Sequence, residues 1–380
     1  MTLAIYIHWP YCARICPYCD FNVYKQKDDA GLTPSILSDL SGWRAWSGER
    51  CISSIHFGGG TPSLMSADDI TQIISQIKSL WALDEAVEIA IEANPHDADA
   101  EKWNAYCAAG INRLSLGVQS FHDPALKLLG RDHDAAQAKA ALTQAVDIFP
   151  SVSLDLIFGW AGQSEALLQA DLDTALNSGA QHISTYQLTI EEGTAFAKAE
   201  ARGDMKAVDG DRSADFYDLV RGRLMAEGFD HYEVSNFAKT DHRSRHNLAY
   251  WQGRDYVGVG PGAHGRLTVD GRRYATVAEM RPKDYQERVA ASGVGIEEKD
   301  QLSPTAWAEE YLLMGLRIEE GISIERFEEI GEQRLPIKII NELVTDGLLE
   351  SQGDRLKATP QGRLLLNRVT EKLLLAFDVA

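Results

Sequence analysis

The sequence has no hydrophobic run of the roughly 20 residues that a bilayer-spanning helix requires. Its start has no basic segment followed by an apolar stretch and a cleavage site; MTLAIYIHWP goes straight into strand-like alternation. We expect a cytoplasmic, soluble protein with no integral membrane span, while peripheral membrane contact through a partner stays open. No dense Lys/Arg stripe is present, and 37 Lys and Arg stand against 56 Asp and Glu, a formal net charge of −19. Such a chain repels a phosphate backbone, so nucleic acid is not an expected partner. Cysteine is scarce. The five residues are Cys12, Cys16, Cys19, Cys51 and Cys107, an odd number and a poor disulfide framework. No low-complexity tract interrupts the chain, and nothing in it fixes an oligomeric state.

What is present is enough apolar residue, 44% of 380, to build a sizeable core in two or three domains. Short β-branched runs at 3–8, 52–57, 87–92, 112–117, 151–158 and 182–188 read as strands. Helix-period stretches follow at 67–80, 100–109, 135–149 and 165–178. Ser66, with Asp69 three residues on, marks the start of the first of these helices. The alternation predicts a parallel β/α sheet, and periodicity alone leaves an open partial barrel and a doubly wound sheet both standing. Unusual residues gather at or near the carboxyl ends of these strands: the cysteines after the first, Gly58 to Pro62 after the second, Glu92 on the third, Gln119 after the fourth and Asp155 on the fifth. That edge is where parallel β/α folds place their sites.

Beyond about residue 195 the alternation weakens. We expect a helix at 213–227, then a stretch rich in Gly, His and aromatics at 240–275. The tail reads as helices at 306–317, 323–330 and 337–346, a hairpin at 348–357 and a last helix, the layout of a winged helix. The expected division is 1–238 for the β/α unit, 239–300 as a linking region and 301–380 as the C-terminal unit.

The spacing Cys12-x3-Cys16-x2-Cys19 lets one short loop wrap a [4Fe–4S] cluster with three thiolates, leaving one iron open. The alternative is structural zinc with His8 as fourth ligand, but a second Cys/His pair at zinc spacing is absent. The Gly58-Gly59-Gly60-Thr61-Pro62 turn lacks the Gly-Lys-Ser/Thr ending of a phosphate loop. Glu92 lies on an inner strand, where a carboxylate needs a partner, and Arg131 could clamp a carboxylate.

Cys12-Ala-Arg-Ile-Cys16-Pro-Tyr-Cys19 resembles the loop of the radical S-adenosylmethionine (SAM) superfamily. The resemblance implies an open partial (β/α)6 barrel. It also implies that the methionine amino and carboxylate groups of SAM chelate the open iron, and that an electron from the cluster cleaves the sulfonium to a 5'-deoxyadenosyl radical. Further motifs narrow the match. Tyr6-Ile-His-Trp-Pro-Tyr-Cys12, His56-Phe-Gly-Gly-Gly-Thr-Pro-Ser63, Asn112-Arg-Leu-Ser-Leu-Gly-Val-Gln-Ser-Phe121 and Tyr232-Glu-Val-Ser-Asn-Phe-Ala238 resemble the oxygen-independent coproporphyrinogen oxidase-like family. On that resemblance Tyr6, Tyr18, Gly59, Gly60, Thr61, Glu92, Gln119, Arg131 and Asp155 are cofactor contacts, while Thr189 stands where the oxidases carry alanine.

Two branches of the family compete. The oxidases carry a further cysteine two residues after the third, where this chain has Phe21. The HemW haem-chaperone branch carries His-Asn-x-x-Tyr-Trp, and His246-Asn247-Leu248-Ala249-Tyr250-Trp251 is similar throughout. That branch implies haem as a bound partner, a haem-accepting apoprotein as recipient, and His246 as an axial haem ligand. Judged on its residues alone, His246 is more readily a structural histidine beside two core aromatics.

Overall fold

A computed structural model of the chain describes residues 2–25 and 31–375. Six strands fall at the stretches expected from the sequence: β1 (Thr2–Trp9), β2 (Cys51–Gly59), β3 (Ala82–Ala93), β4 (Arg113–Gln119), β5 (Ser151–Phe158) and β6 (His182–Gln187). Each pairs with the next in parallel. Helices Ala67–Leu80, Ala100–Ala109, Ala135–Ile148, Glu165–Leu176 and Gly210–Ala226 alternate with them or follow β6. Each starts at a Ser or Asp side chain that accepts a backbone N–H of the first turn, and Asp134 with Gln137 completes a capping box. A further helix, Leu32–Ser47, joins the cysteine loop to β2 and has no such cap.

Alternation along the strands sorts two faces. Leu3, Ile5 and Ile7 on β1, Ile55 and Phe57 on β2, and Ile89 and Ile91 on β3 share one core cluster with Ile36, Ile70 and Ile73 of the covering helices. The opposite face carries Tyr6, His8, Ser54, His56, Glu88, Glu92 and Asp155, so the barrel interior is polar.

The sheet does not close. Beyond β6 lie β7 (Asp230–His231) and β8 (Asn236–Ala238), antiparallel. Beyond β1 lie β9 (Tyr256–Val259), parallel to β1, and then β10 (His264–Val269), β11 (Arg272–Ala278) and β12 (Ile296–Gln301), antiparallel. The order is β12-β11-β10-β9-β1-β2-β3-β4-β5-β6-β8-β7. The fold is thus an open partial (β/α)6 barrel extended at both edges. The 239–300 stretch, read from the sequence as a linking region, supplies β9 to β12 of this sheet. Two of its glycines, Gly258 and Gly265, sit in strands because there is no room for side chains: a Cβ on Gly258 would lie 2.1 Å from the His264 carbonyl oxygen.

The C-terminal part has its own core, including Leu312, Phe327, Leu343, Leu356 and Leu373. Helices Pro304–Gly315, Ile324–Gly331 and Ile337–Thr345 precede the hairpin of β14 (Leu349–Gln352) and β15 (Arg355–Ala358), with β13 (Ile322–Ser323) on its edge and helix Leu366–Leu374 last. This is the winged-helix layout. It joins the barrel through the Arg266–Glu310 ion pair at 2.7 Å and a backbone bond from Glu319 to Tyr232.

Candidate functional site

The cysteine loop leaves β1 and is stapled to the glycine turn after β2. The Gly60 N–H donates to the Trp9 carbonyl at 2.7 Å and the Thr61 N–H to the Tyr11 carbonyl at 2.9 Å. Only glycine permits this approach: a Cβ on Gly59, at φ +109°, would stand 2.6 Å from the His8 ring, and one on Gly60 would stand 2.7 Å from the Tyr11 oxygen. Between loop and turn opens a cleft of about 390 Å³ at the carboxyl ends of the strands. Cys12, Cys16, Cys19, Tyr18, Gly59, Gly60, Thr61, Glu92, Gln119, Arg131 and Asp155 all line it, as do Phe21 and Thr189.

All three thiols are free. Among the described residues no three His, Cys, Asp or Glu side chains converge on a point that could hold a single metal ion. The thiols instead face one cleft from a single loop, as ligands to different irons of a cluster would. Burial raises the Cys12 thiol above its ordinary range and pushes Cys19 up to about 11, so iron would have to displace protons on binding. The Arg131 guanidinium reaches Cys16 Sγ at 3.3 Å and the Gly117 carbonyl at 2.9 Å, yet its Nε has no partner among the described residues. Gln119 holds φ +69° at a register shift between β4 and β5, and its Oε1 is buried without a partner. A strained residue and orphaned polar atoms beside a three-thiol loop fit a cluster with a polar ligand on it, since each unmet buried polar group costs about 1–3 kcal/mol.

Glu92 Oε1 bonds His56 Nε2 at 2.9 Å, and its side chain is 39% exposed. Asp155 accepts from the Ser115 hydroxyl at 3.3 Å, and burial pushes its carboxyl up to about 6 against the Ser184 hydrogen bond. Asn94 was not singled out by sequence reasoning. Its Oδ1 accepts from Arg131 and its Nδ2 donates to Thr61 Oγ1 at 3.1 Å, so it ties two predicted contacts together. Its place at a strand end before Pro95 was the available signal.

Tyr6 and His246 lie elsewhere. Tyr6 sits behind the glycine turn, its hydroxyl 3.0 Å from His8 Nδ1 and its ring against the space a Gly58 side chain would need. His246, 1% exposed, is inside the barrel near the amino-terminal ends of the strands. Its Nδ1 bonds Ser54 Oγ at 3.0 Å, its Nε2 bonds Tyr250 Oη at 2.6 Å, and its ring stacks on His56 at 4.8 Å. Burial, then the neighbouring His56, holds its imidazole well below the usual histidine range. Its helix, Arg245–Trp251, plugs the barrel. The Ser244 hydroxyl and the backbone N–H groups of Arg245 and His246 bond the Glu88 carboxylate, which also pairs with Arg113 at 2.9 Å. The structure therefore does not bring His246 to the cysteine cleft.

Comparison with known proteins adds the following. The Radical SAM superfamily profile matches residues 6–175, and the HemN C-terminal domain profile matches residues 302–365. The chain is 36% identical to "Heme chaperone HemW" of Mycobacterium tuberculosis, over 97% of this chain and 94% of that protein. It is 35% identical to "Heme chaperone HemW" of Bacillus subtilis, over 96% and 97%. It is also 36% identical to the mitochondrial "Radical S-adenosyl methionine domain-containing protein 1" of Bos taurus, over 98% and 87%. The coproporphyrinogen III oxidase HemN of Escherichia coli superposes with a TM-score of 0.81 at 20% identity, over 98% of this chain and 89% of that one. Among the described residues no helix is long and apolar enough to cross a membrane.

Proposed function

The chain belongs to the radical SAM superfamily, to its coproporphyrinogen oxidase-like family and the HemW branch, and from that premise we propose that it is a haem carrier that binds haem and passes it to an acceptor apoprotein. The observation that carries this reading is similarity along nearly the whole of both chains to relatives named as haem chaperones, together with a matching His246-to-Trp251 motif.

In this reading Cys12, Cys16 and Cys19 hold the [4Fe–4S] cluster, and Glu92, Gln119, Arg131 and Asp155 orient SAM beside it. When bound, the cluster supplies an open iron and an electron. Arg131 and Gln119 offer the donor and acceptor atoms that lack partners, suited to the carboxylate and ammonium groups of the methionine end. Gly59 and Gly60 let backbone amides come close to that end. Iron ligation by His246 would take one ring nitrogen from its present partner, Nδ1 from Ser54 or Nε2 from Tyr250, while the other keeps its bond. The test is haem titration of the reconstituted protein, wild type and His246→Ala. Saturable binding near one haem per chain that His246→Ala weakens by about tenfold or more is the result expected for an axial ligand. Unchanged affinity would assign His246 to the plug alone, and a wild type that binds no haem would end the carrier reading.

A second reading, radical decarboxylation of coproporphyrinogen, is favoured by the completeness of the cysteine cleft. Against it, Phe21 is 64% exposed at the cleft mouth where the oxidases hold a cysteine. Anaerobic turnover of coproporphyrinogen to protoporphyrinogen with SAM and a reductant separates the two readings.

A further inference from the structure

A second cleft, of about 780 Å³, lies in the seam between the sheet extension and the C-terminal helices. It reaches Thr2, the end of β1 opposite the cysteine loop. Its charge runs against the rest of the chain. Arg254, Arg272, Arg273 and Arg326 face Asp255, Glu329 and Glu332, whereas the whole sequence carries 56 acids against 37 bases.

Most of the acidic side is already engaged. Asp255 takes Arg273 at 2.5 Å and Arg50 at 3.6 Å, and Glu329 takes Arg326 at 3.2 Å. Arg254 and Arg272 are exposed and pair with no carboxylate among the described residues. Arg273, with its side chain 2% exposed, keeps an Nε without a partner. Unpaired guanidinium groups around a concave site are what recognition of a carboxylate needs, because the planar fork matches its two oxygens. The volume is that of an ordinary small-molecule site, about 300–1,000 Å³, and Trp307 and Tyr311 give one wall an aromatic lining.

The barrel plug runs straight into this cleft. Helix Arg245–Trp251 ends where Gln252 to Asp255 become its wall. Gly253, at φ +64°, brings that wall against the C-terminal part: a Cβ there would stand 3.0 Å from the Tyr311 ring. Arg317, also from the C-terminal part, lies over the Trp251 ring at 4.9 Å. The motif thus ends against the wall of the second cleft without reaching the first.

We propose that this seam cleft seats haem by its two carboxylates, held by Arg254 and Arg272, with the His246-to-Trp251 helix as its support. The proposal rests on the haem-carrier reading and gives that reading a location. The plug's inward bonds keep the helix in place, so a ligand at the seam meets Gln252 to Asp255, just past the motif, and leaves His246 buried.

The test is absorbance titration of the full-length protein, cluster reconstituted, with haem and with haem dimethyl ester, which lacks the carboxylate charge. Wild type is compared with the Arg254→Glu/Arg272→Glu double variant and with the milder Arg254→Gln/Arg272→Gln, all matched for cluster absorbance and thermal midpoint. The expected result is haem binding at least about tenfold weaker in both variants, with the ester bound weakly and equally by all three proteins. Haem bound as tightly by the variants as by wild type would overturn the seam assignment and leave the carrier reading standing. Ester bound by wild type as tightly as haem would overturn it too. A wild type that binds neither would remove the carrier reading itself.

Discussion

Glu88 and Glu92 stand four residues apart on β3 and face the same barrel interior. Glu88 is saturated: Arg113, the Ser244 hydroxyl and two backbone amides of the plug helix surround it, and its side chain is 7% exposed. Among the described residues Glu92 has one hydrogen-bond partner, His56, and it opens to the cleft. One strand thus carries a carboxylate at each end of the barrel, one used to hold the fold and one left with capacity for a ligand. Charge on an inner strand does not by itself mark a functional residue; the number of unmet hydrogen bonds does.

Removing the two carboxylates separately should break the pair apart. Glu88→Ala strands Arg113 and the amides of the plug helix, and about 3–5 kcal/mol of stability should go. The shift of the urea midpoint measures it, and a shift as small as that of a surface substitution would refute the saturated-anchor account. Asp155, on the same interior face, sharpens the comparison through pH. Its folded carboxyl is raised from about 4 to about 6 by burial. The folded state therefore holds a proton that the unfolded state releases between those values. Stability from this group is fully present below about pH 4 and is lost as pH rises through about 6, a change of about 1–3 kcal/mol. Asp155→Asn should remove that slope, and parallel stability profiles for the two proteins from pH 4 to 7 would contradict it. The smallest effect belongs to Glu92→Gln: stability within about 0.5 kcal/mol of wild type, with SAM binding to the reconstituted protein weakened about tenfold. Calorimetric titration beside a thermal melt reads both, and a large fall in melting temperature would place Glu92 with Glu88.

Much of this was legible in the sequence, for physical reasons. The helices at 67–80 and 100–109 begin at Ser66 and Asp99, whose side chains bond backbone amides three residues on, and local chemistry of that kind is written locally. The cleft was legible because a strand end, a cysteine spacing and a glycine turn are each short-range signals. Helix Leu32–Ser47 was not, since it has Gly31 at its N-cap, Pro34 in its first turn and Gly42 within. Strands β9 to β12 were not, because Gly258 and Gly265 look like loop residues until the neighbouring backbone and Thr276 are in place around them. Glu88 was missed for the same reason: its four partners come from Arg113 and from residues 244–246, more than 150 positions away for the latter. Such a contact leaves no periodic trace.

The pairing of β9 with β1 sets a timetable for the molecule's manufacture. β1 leaves the ribosome ahead of the other strands of its sheet, yet one of its two neighbours starts at Tyr256. At about 5–20 residues per second, the intervening stretch of nearly 250 residues takes roughly 12–50 s to make. Throughout that interval β1 keeps an unpaired edge, the kind of surface that invites pairing with another chain. The cysteine loop hangs from that same strand. Nascent protein is thus open to misassembly beside the loop proposed to hold the cluster, and cluster delivery is best matched to a chain already released.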